Sequence, residues 1–196
     1  EAIETKEDVV QFLKQFNIEN YKVNSDLTVD VKGDVTLKQQ EFSKIPIKFG
    51  RVSGSFDCSR NKLTTLDGAP TKVGGDFNCT NNKLTTLKGG PKKVDGSFDC
   101  SENEIVTLKG GPSVGGDFNC SFNKLKTLKG APIVCHSFTC TNNLLVTLEG
   151  SPTSVSGNFY CWGNDNLSDA EIEKFEDLVK DGTISIYGVI FKHFNS

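Results

Sequence analysis

What this chain of 196 residues lacks narrows its chemistry first. It has only two histidines, His136 and His193, and shows no Ser-His-Asp or Cys-His-Asn logic, no P-loop, no GxGxxG ahead of a helix and no HExxH. An enzymatic function is not expected, and neither is a cofactor. No apolar run approaches a membrane span, and no signal peptide is visible at Glu1, though an absent initiator methionine leaves the start open to trimming. Charge of one sign is scarce too. Residues 51–166 carry 12 Lys+Arg against 10 Asp+Glu, or +2, and the two ends together carry 10 against 15, or −5, for a net −3. Neither value is the concentrated basic field that nucleic acid or an acidic membrane requires.

What is present is a repeat. Phe-x-Cys-x-x-Asn-x-Leu-x-x-Leu recurs every twenty to twenty-one residues, with cysteines at Cys58, Cys79, Cys100, Cys120, Cys140 and Cys161. A phenylalanine stands two residues before each (Phe56, Phe77, Phe98, Phe118, Phe138, Phe159) and an asparagine three after (Asn61, Asn82, Asn103, Asn123, Asn143, Asn164). Such phase-locking means stacked coils with a continuous core. Six cysteines at one repeat position among apolar neighbours behave as small buried hydrophobes, which predicts reduced thiols and a cytoplasmic location.

Each fixed position has a mechanical reading. Phe77 and Cys79, two apart, point to one side of a short strand, so Asp76, Asn78 and Thr80 point to the other. Coils stacked at the strand spacing build a parallel sheet on a concave face. The asparagine turns the corner, satisfying backbone groups and stacking into a ladder. Leucine pairs such as Leu84 and Leu87 fill the core from the far side, and Gly-x-Pro turns such as Gly89 and Pro91 forbid a helix. The convex face is therefore expected to be extended or polyproline-like.

The ends read as caps. Residues 1–50 open with the capping box Thr5 to Asp8 and a helix with Val9, Val10, Phe12, Leu13 and Phe16 on one stripe. A strand pair, or a strand leading into the first coil, follows over Tyr21 to Leu37, and 33–45 read as a worn first repeat. Residues 51–166 hold six repeats. Residues 167–196 start a helix at a second capping box, Ser168 to Glu171, with Ile172, Phe175, Leu178 and Val179 buried, and Ile184 to Phe194 pack beside it. The organisation is a repeat solenoid with small helical caps.

The core string of Phe77 to Leu87 resembles the leucine-rich repeat, with an aromatic and a cysteine in its first two apolar slots. The repeat length and the trailing Leu-x-Gly-x-Pro resemble the short repeats of secreted bacterial leucine-rich-repeat effectors. The run from Val73 to Pro91 looks like leucine-rich-repeat proteins of large tailed bacteriophages, as do the ends of the chain. That resemblance implies a viral, non-enzymatic protein-protein interaction module. Its partner would be a host protein, such as a defence enzyme or toxin, met in the host cytoplasm. The effectors with ubiquitin-ligase activity carry a large catalytic domain after their repeats; here only about thirty residues follow the last coil.

The partner surface is expected on the concave face, where Asp57, Asp76, Asn78, Asp99, Asp117, Asn119 and Thr139 point outward, together with Ser59, Ser101, Ser121 and Thr141. Apart from Lys38 this face has no basic residue, so it repels phosphate. Tyr160 and Trp162 on the last strand, and Phe122 at the sheet's exit edge, read as binding anchors; for Tyr160 and Trp162, packing under the C-terminal cap is the other reading. Lys62, Lys83 and Lys124 at one edge and Lys88, Lys109 and Lys129 at the other form columns that read as solvated edges, with a stripe for an acidic partner or nucleic acid as the alternative. Cys135 lies just outside the repeat pattern and His136 replaces the usual repeat glycine; these two, expected outside the core, are too few for zinc. An assembly role in a virion is the alternative function.

Overall fold

The computed structural model describes residues 3–193; Phe194, expected in the C-terminal apolar segment, lies outside the described residues. In chain order the elements are α1 (Lys6–Gln15), β1 (Tyr21–Val23), β2 (Val29–Val31), β3 (Val35–Thr36), β4 (Phe49–Val52), β5 (Phe56–Asp57), β6 (Lys72–Val73), β7 (Phe77–Asn78), β8 (Lys93–Val94) and β9 (Phe98–Asp99). Then follow β10 (Ser113–Val114), β11 (Phe118–Asn119), β12 (Val134–Cys135), β13 (Phe138–Thr139), β14 (Ser154–Val155), β15 (Phe159–Tyr160), α2 (Asp169–Lys180), β16 (Ser185–Ile186) and β17 (Ile190–Phe191). The odd-numbered strands from β3 to β17 form one parallel sheet of eight, the concave wall. Val35 pairs with Phe56, so the worn first repeat is a true rung.

Inside this wall the six repeat phenylalanines stack ring over ring, with centroids 5.2–5.6 Å apart and planes within 23°. Phe49 closes one end of the stack at 5.1 Å and Phe175 of α2 the other at 4.9 Å. All six rings are essentially inaccessible, and burying each contributes about 2–3 kcal/mol. The thiols lie beside them, and Cys58, Cys79, Cys100, Cys120 and Cys140 each donate to a carbonyl of the next coil.

The asparagine corner forms the expected ladder. Asn103 donates from Nδ2 to the carbonyls of Cys79, Cys100 and Ser101 at 3.0–3.1 Å, and its Oδ1 accepts the Leu84 amide at 3.0 Å. One buried amide thus stitches two coils together. Beyond the leucines, Gly68, Gly89, Gly110, Gly130 and Gly150 take φ of +84° to +97°, the turn that returns the chain.

The outer face is extended, as expected, and its last residues in each coil pair into a second ladder. That ladder is split into a six-stranded sheet, β1-β2-β4-β6-β8-β10, and a three-stranded sheet, β12-β14-β16. The split has a sequence cause. In other coils the inward valine precedes the stacked phenylalanine by four residues (Val114 to Phe118, Val155 to Phe159), but Cys135 precedes Phe138 by three. Cys135 pairs with Val155 and is 3% exposed, so it fills the valine slot. This corrects its expected place outside the core.

At the N-terminus the Thr5–Asp8 capping box forms as expected, and Val9, Phe12 and Leu13 of α1 are buried. Phe12, Phe16 and Phe42 form an aromatic cluster there. Only half of the second box forms: Ser168 accepts the Glu171 amide at 3.3 Å, whereas the Glu171 carboxylate turns toward Lys174. Residues 185–191 do more than pack beside α2. They add one further rung to both sheets, Ser185–Ile186 outside and Ile190–Phe191 inside.

Candidate partner-binding surface

Strand alternation fixes which side chains reach the concave face. Asp57, Asn78, Asp99, Asn119, Thr139, Tyr160 and Phe191 fall in one register row, all half-buried. Asp76 and Asp117 stand one residue earlier in their coils and are exposed.

The polar candidates are also structural. Oδ1 of Asp57, Asn78, Asp99 and Asn119 accepts the amide two residues on, at 2.9–3.1 Å. These Asx turns bend the chain inward immediately after the cysteine. That bend corrects one expectation: Ser59, Ser101, Ser121 and Thr141 are buried at the corner, not turned outward. Asp76 and Asp117 accept the Ser97 and Ser137 amides at 2.7 and 2.9 Å, while Ser55 and Ser97 accept the Asp76 and Asp117 amides. Each carboxylate therefore spends one oxygen, Oδ1, on the neighbouring coil. Thr139 holds the same outward row without such a bond.

Tyr160 stacks on Phe191, centroids 4.7 Å apart and planes 8° apart, and its hydroxyl accepts from Asn158 at 2.9 Å. It is thus braced by the last rung and still half-exposed. Trp162 is half-buried where the chain leaves β15, in the slot that holds Thr141 one coil earlier. Val189, 55% exposed, precedes β17 on the same end. Phe191 and Val189 were not found by sequence reading because a helix intervenes; the signal is the apolar pair Ile190-Phe191 after Gly188, a rung without its cysteine.

Phe122 stands apart, two coils or roughly 10 Å from the Tyr160 end. It is 53% exposed with φ of +54°, in the column of left-handed residues that also holds Arg60, Asn81, Glu102 and Asn142. Val106, Leu144 and Val146 are exposed on the leg that follows this corner, in the coils around Phe122. The structure thus divides the aromatics into an end patch and an edge patch.

The lysine columns are partly neutralised. Lys62 pairs with Glu41, Lys124 with Glu104 at 2.8 Å and Lys129 with Glu149 at 3.0 Å. The Lys124 ammonium holds the Glu104 carboxyl below its usual range.

His136 takes the place of Gly116 one coil on, its amide donating to the Gly116 carbonyl. Its Nδ1 meets Asp117 at 2.7 Å, and the Ser137 hydroxyl lies 3.5 Å from the same nitrogen. A nucleophilic triad needs serine and carboxylate on opposite ring nitrogens, so this trio lacks that geometry. Burial pushes all seven thiols up, Cys135 and Cys161 to about 12, leaving them protonated and poor nucleophiles. Among the described residues no three His, Cys, Asp or Glu side chains cluster to hold a metal, and no helix is long and apolar enough to cross a membrane.

No protein-family model and no curated protein matches the chain. Among solved structures, the leucine-rich-repeat domain of a Shigella effector matches with a TM-score of 0.50 and 16% identity, over 98% of this chain and 91% of that one. With its eight parallel rungs and its asparagine ladder, the chain is a leucine-rich-repeat-like solenoid whose repeats are similar to those of a bacterial effector.

Proposed function

We propose that the chain is a non-enzymatic module that binds a protein partner on its concave sheet, with residues 51–166 as the binding repeats and 1–50 and 167–196 as end plates. One observation carries this reading. An unbroken eight-stranded wall presents half-exposed or exposed polar side chains along its length and ends in the braced Tyr160–Phe191 pair. Rigid aromatics beside small polar groups are the composition of a binding anchor. The resemblance of Val73 to Pro91 to phage repeats supports a phage protein that inhibits or redirects a host protein, such as a defence enzyme or toxin, in the host cytoplasm.

The test is affinity capture from host lysate followed by reconstitution with the purified partner. A stoichiometric complex is expected with wild type, and Phe122→Ala, Tyr160→Ala and Trp162→Ala together should weaken it at least about tenfold, as loss of hot-spot aromatics does. Equal affinity for the triple variant removes these residues from the site. Recovery of the chain in purified virions, with no host complex, favours an assembly role instead.

A further inference from the structure

A groove of about 800 Å³ lies on the other side of the molecule, across the outer sheet at the N-terminal end. Lys22, Lys32, Arg51 and Lys72 line it, with Asp30 and Asp95. Strand register explains the gathering: Lys22 faces Asp30 across β1 and β2, and Arg51, Lys72 and Lys93 follow one another across β4, β6 and β8.

The charges in the groove do not cancel. Asp30 accepts the Arg51 amide at 2.8 Å and the Asn24 amide group at 3.2 Å, and Asp95 serves Lys93 at 3.1 Å with Lys72 at 4.0 Å. Among the described residues Lys22, Lys32 and Arg51 have no carboxylate within salt-bridge reach, unlike Lys62, Lys124 and Lys129 at the solenoid edges.

We infer that this outer groove binds an acidic helical segment of a protein. Arg51 and Lys72 pair in register across β4 and β6, about 4.8 Å apart at the backbone and close to the 5–6 Å between positions three or four apart on a helix, and Lys22 and Lys32 line the same groove. A phosphodiester backbone, charged at every unit, meets Asp30 and Asp95 within the same groove, whereas a protein segment sets an amide or a cation against them. The inference is independent of the concave face and adds a second surface to it.

The probe is a fluorescent alanine-based helical peptide with glutamates four residues apart, followed by anisotropy on the full chain at low and physiological ionic strength, with oligothymidylate as comparator. Charge reversal at Lys22, Lys32 and Arg51 together is expected to weaken peptide binding about tenfold or more, while reversal at Lys83, Lys88 and Lys109 changes it less than about twofold. The neutral set Lys22→Gln, Lys32→Gln and Arg51→Gln, checked by circular dichroism, should show the same direction in a folded chain. The inference is overturned if the peptide does not bind wild type, if both reversed sets lose binding equally, or if oligothymidylate binds more tightly through the same residues.

Discussion

At the scale of single residues, the buried asparagine does more than any other polar group. Asn103→Ala leaves the buried Leu84 amide without its partner and removes one of two donors from each of three carbonyls: Cys79 keeps Asn82, Cys100 keeps Asn123 and Ser101 keeps the Asn81 amide. A loss of about 1–3 kcal/mol in denaturant unfolding is expected, the cost of one orphaned buried amide. Phe122 works in the opposite direction. A phenylalanine at φ +54° carries roughly 1 kcal/mol of backbone strain that asparagine, the residue at positions 81 and 142 of the same column, largely avoids. Phe122→Asn should therefore raise stability by about 0.5–1 kcal/mol even where it weakens a complex. The inward Phe and Cys and the stitching Asn were legible in the sequence because alternation and period alone determine them. The inward turn of Ser59 and Ser121 was not, because it follows from an Asx turn at the residue two upstream, a local hydrogen bond that overrides strand alternation.

At the scale of elements, the missing residue between Cys135 and His136 decides where the outer ladder breaks. The inner sheet crosses this coil without interruption, since Phe118, Phe138 and Phe159 remain in register. Inserting one glycine after Cys135 restores the four-residue spacing. β10 and β12 are then expected to pair, seen as slower hydrogen exchange at residues 134–136 with no change at Phe138 or Cys140. Sequence reading placed His136 in the glycine column but put Cys135 outside the core, because a one-residue deletion shifts which neighbour points inward. It also treated the end of the chain as packing alone. The rung formed by Ile190 and Phe191 escaped notice because α2 separates it from the repeat, and rung pairing is a tertiary contact with no fixed spacing in sequence.

At the scale of the whole molecule, two faces differ in charge: aspartates along the concave wall, unpaired cations on the outer sheet. The concave aspartates were visible as a column; the outer cluster was not, because Lys22 and Lys32 come from the cap and Arg51 from a repeat, joined only by strand pairing. Between these faces runs the column of thiols, which makes stability depend on pH. Burial raises every thiol above its ordinary 9.0, so its contribution is fully present below pH 9 and is lost as the pH rises toward the folded values, about 12 for Cys135 and Cys161. Above pH 9 each thiol weakens folding by about 1.4 kcal/mol per pH unit. Thermal unfolding should therefore shift little with thiol ionisation below pH 9 and drop steeply between pH 9 and 11, and the drop should shrink when the column is replaced by alanine or valine.

The inward turn of phenylalanine and cysteine is what frees their neighbours for a partner, and thiol titration tests it most directly. With Ellman's reagent at pH 8, fewer than one of the seven thiols is expected to react in the native protein and all seven in guanidinium. Rapid native reaction of several thiols would contradict the stacked-rung geometry on which the proposed binding surface depends.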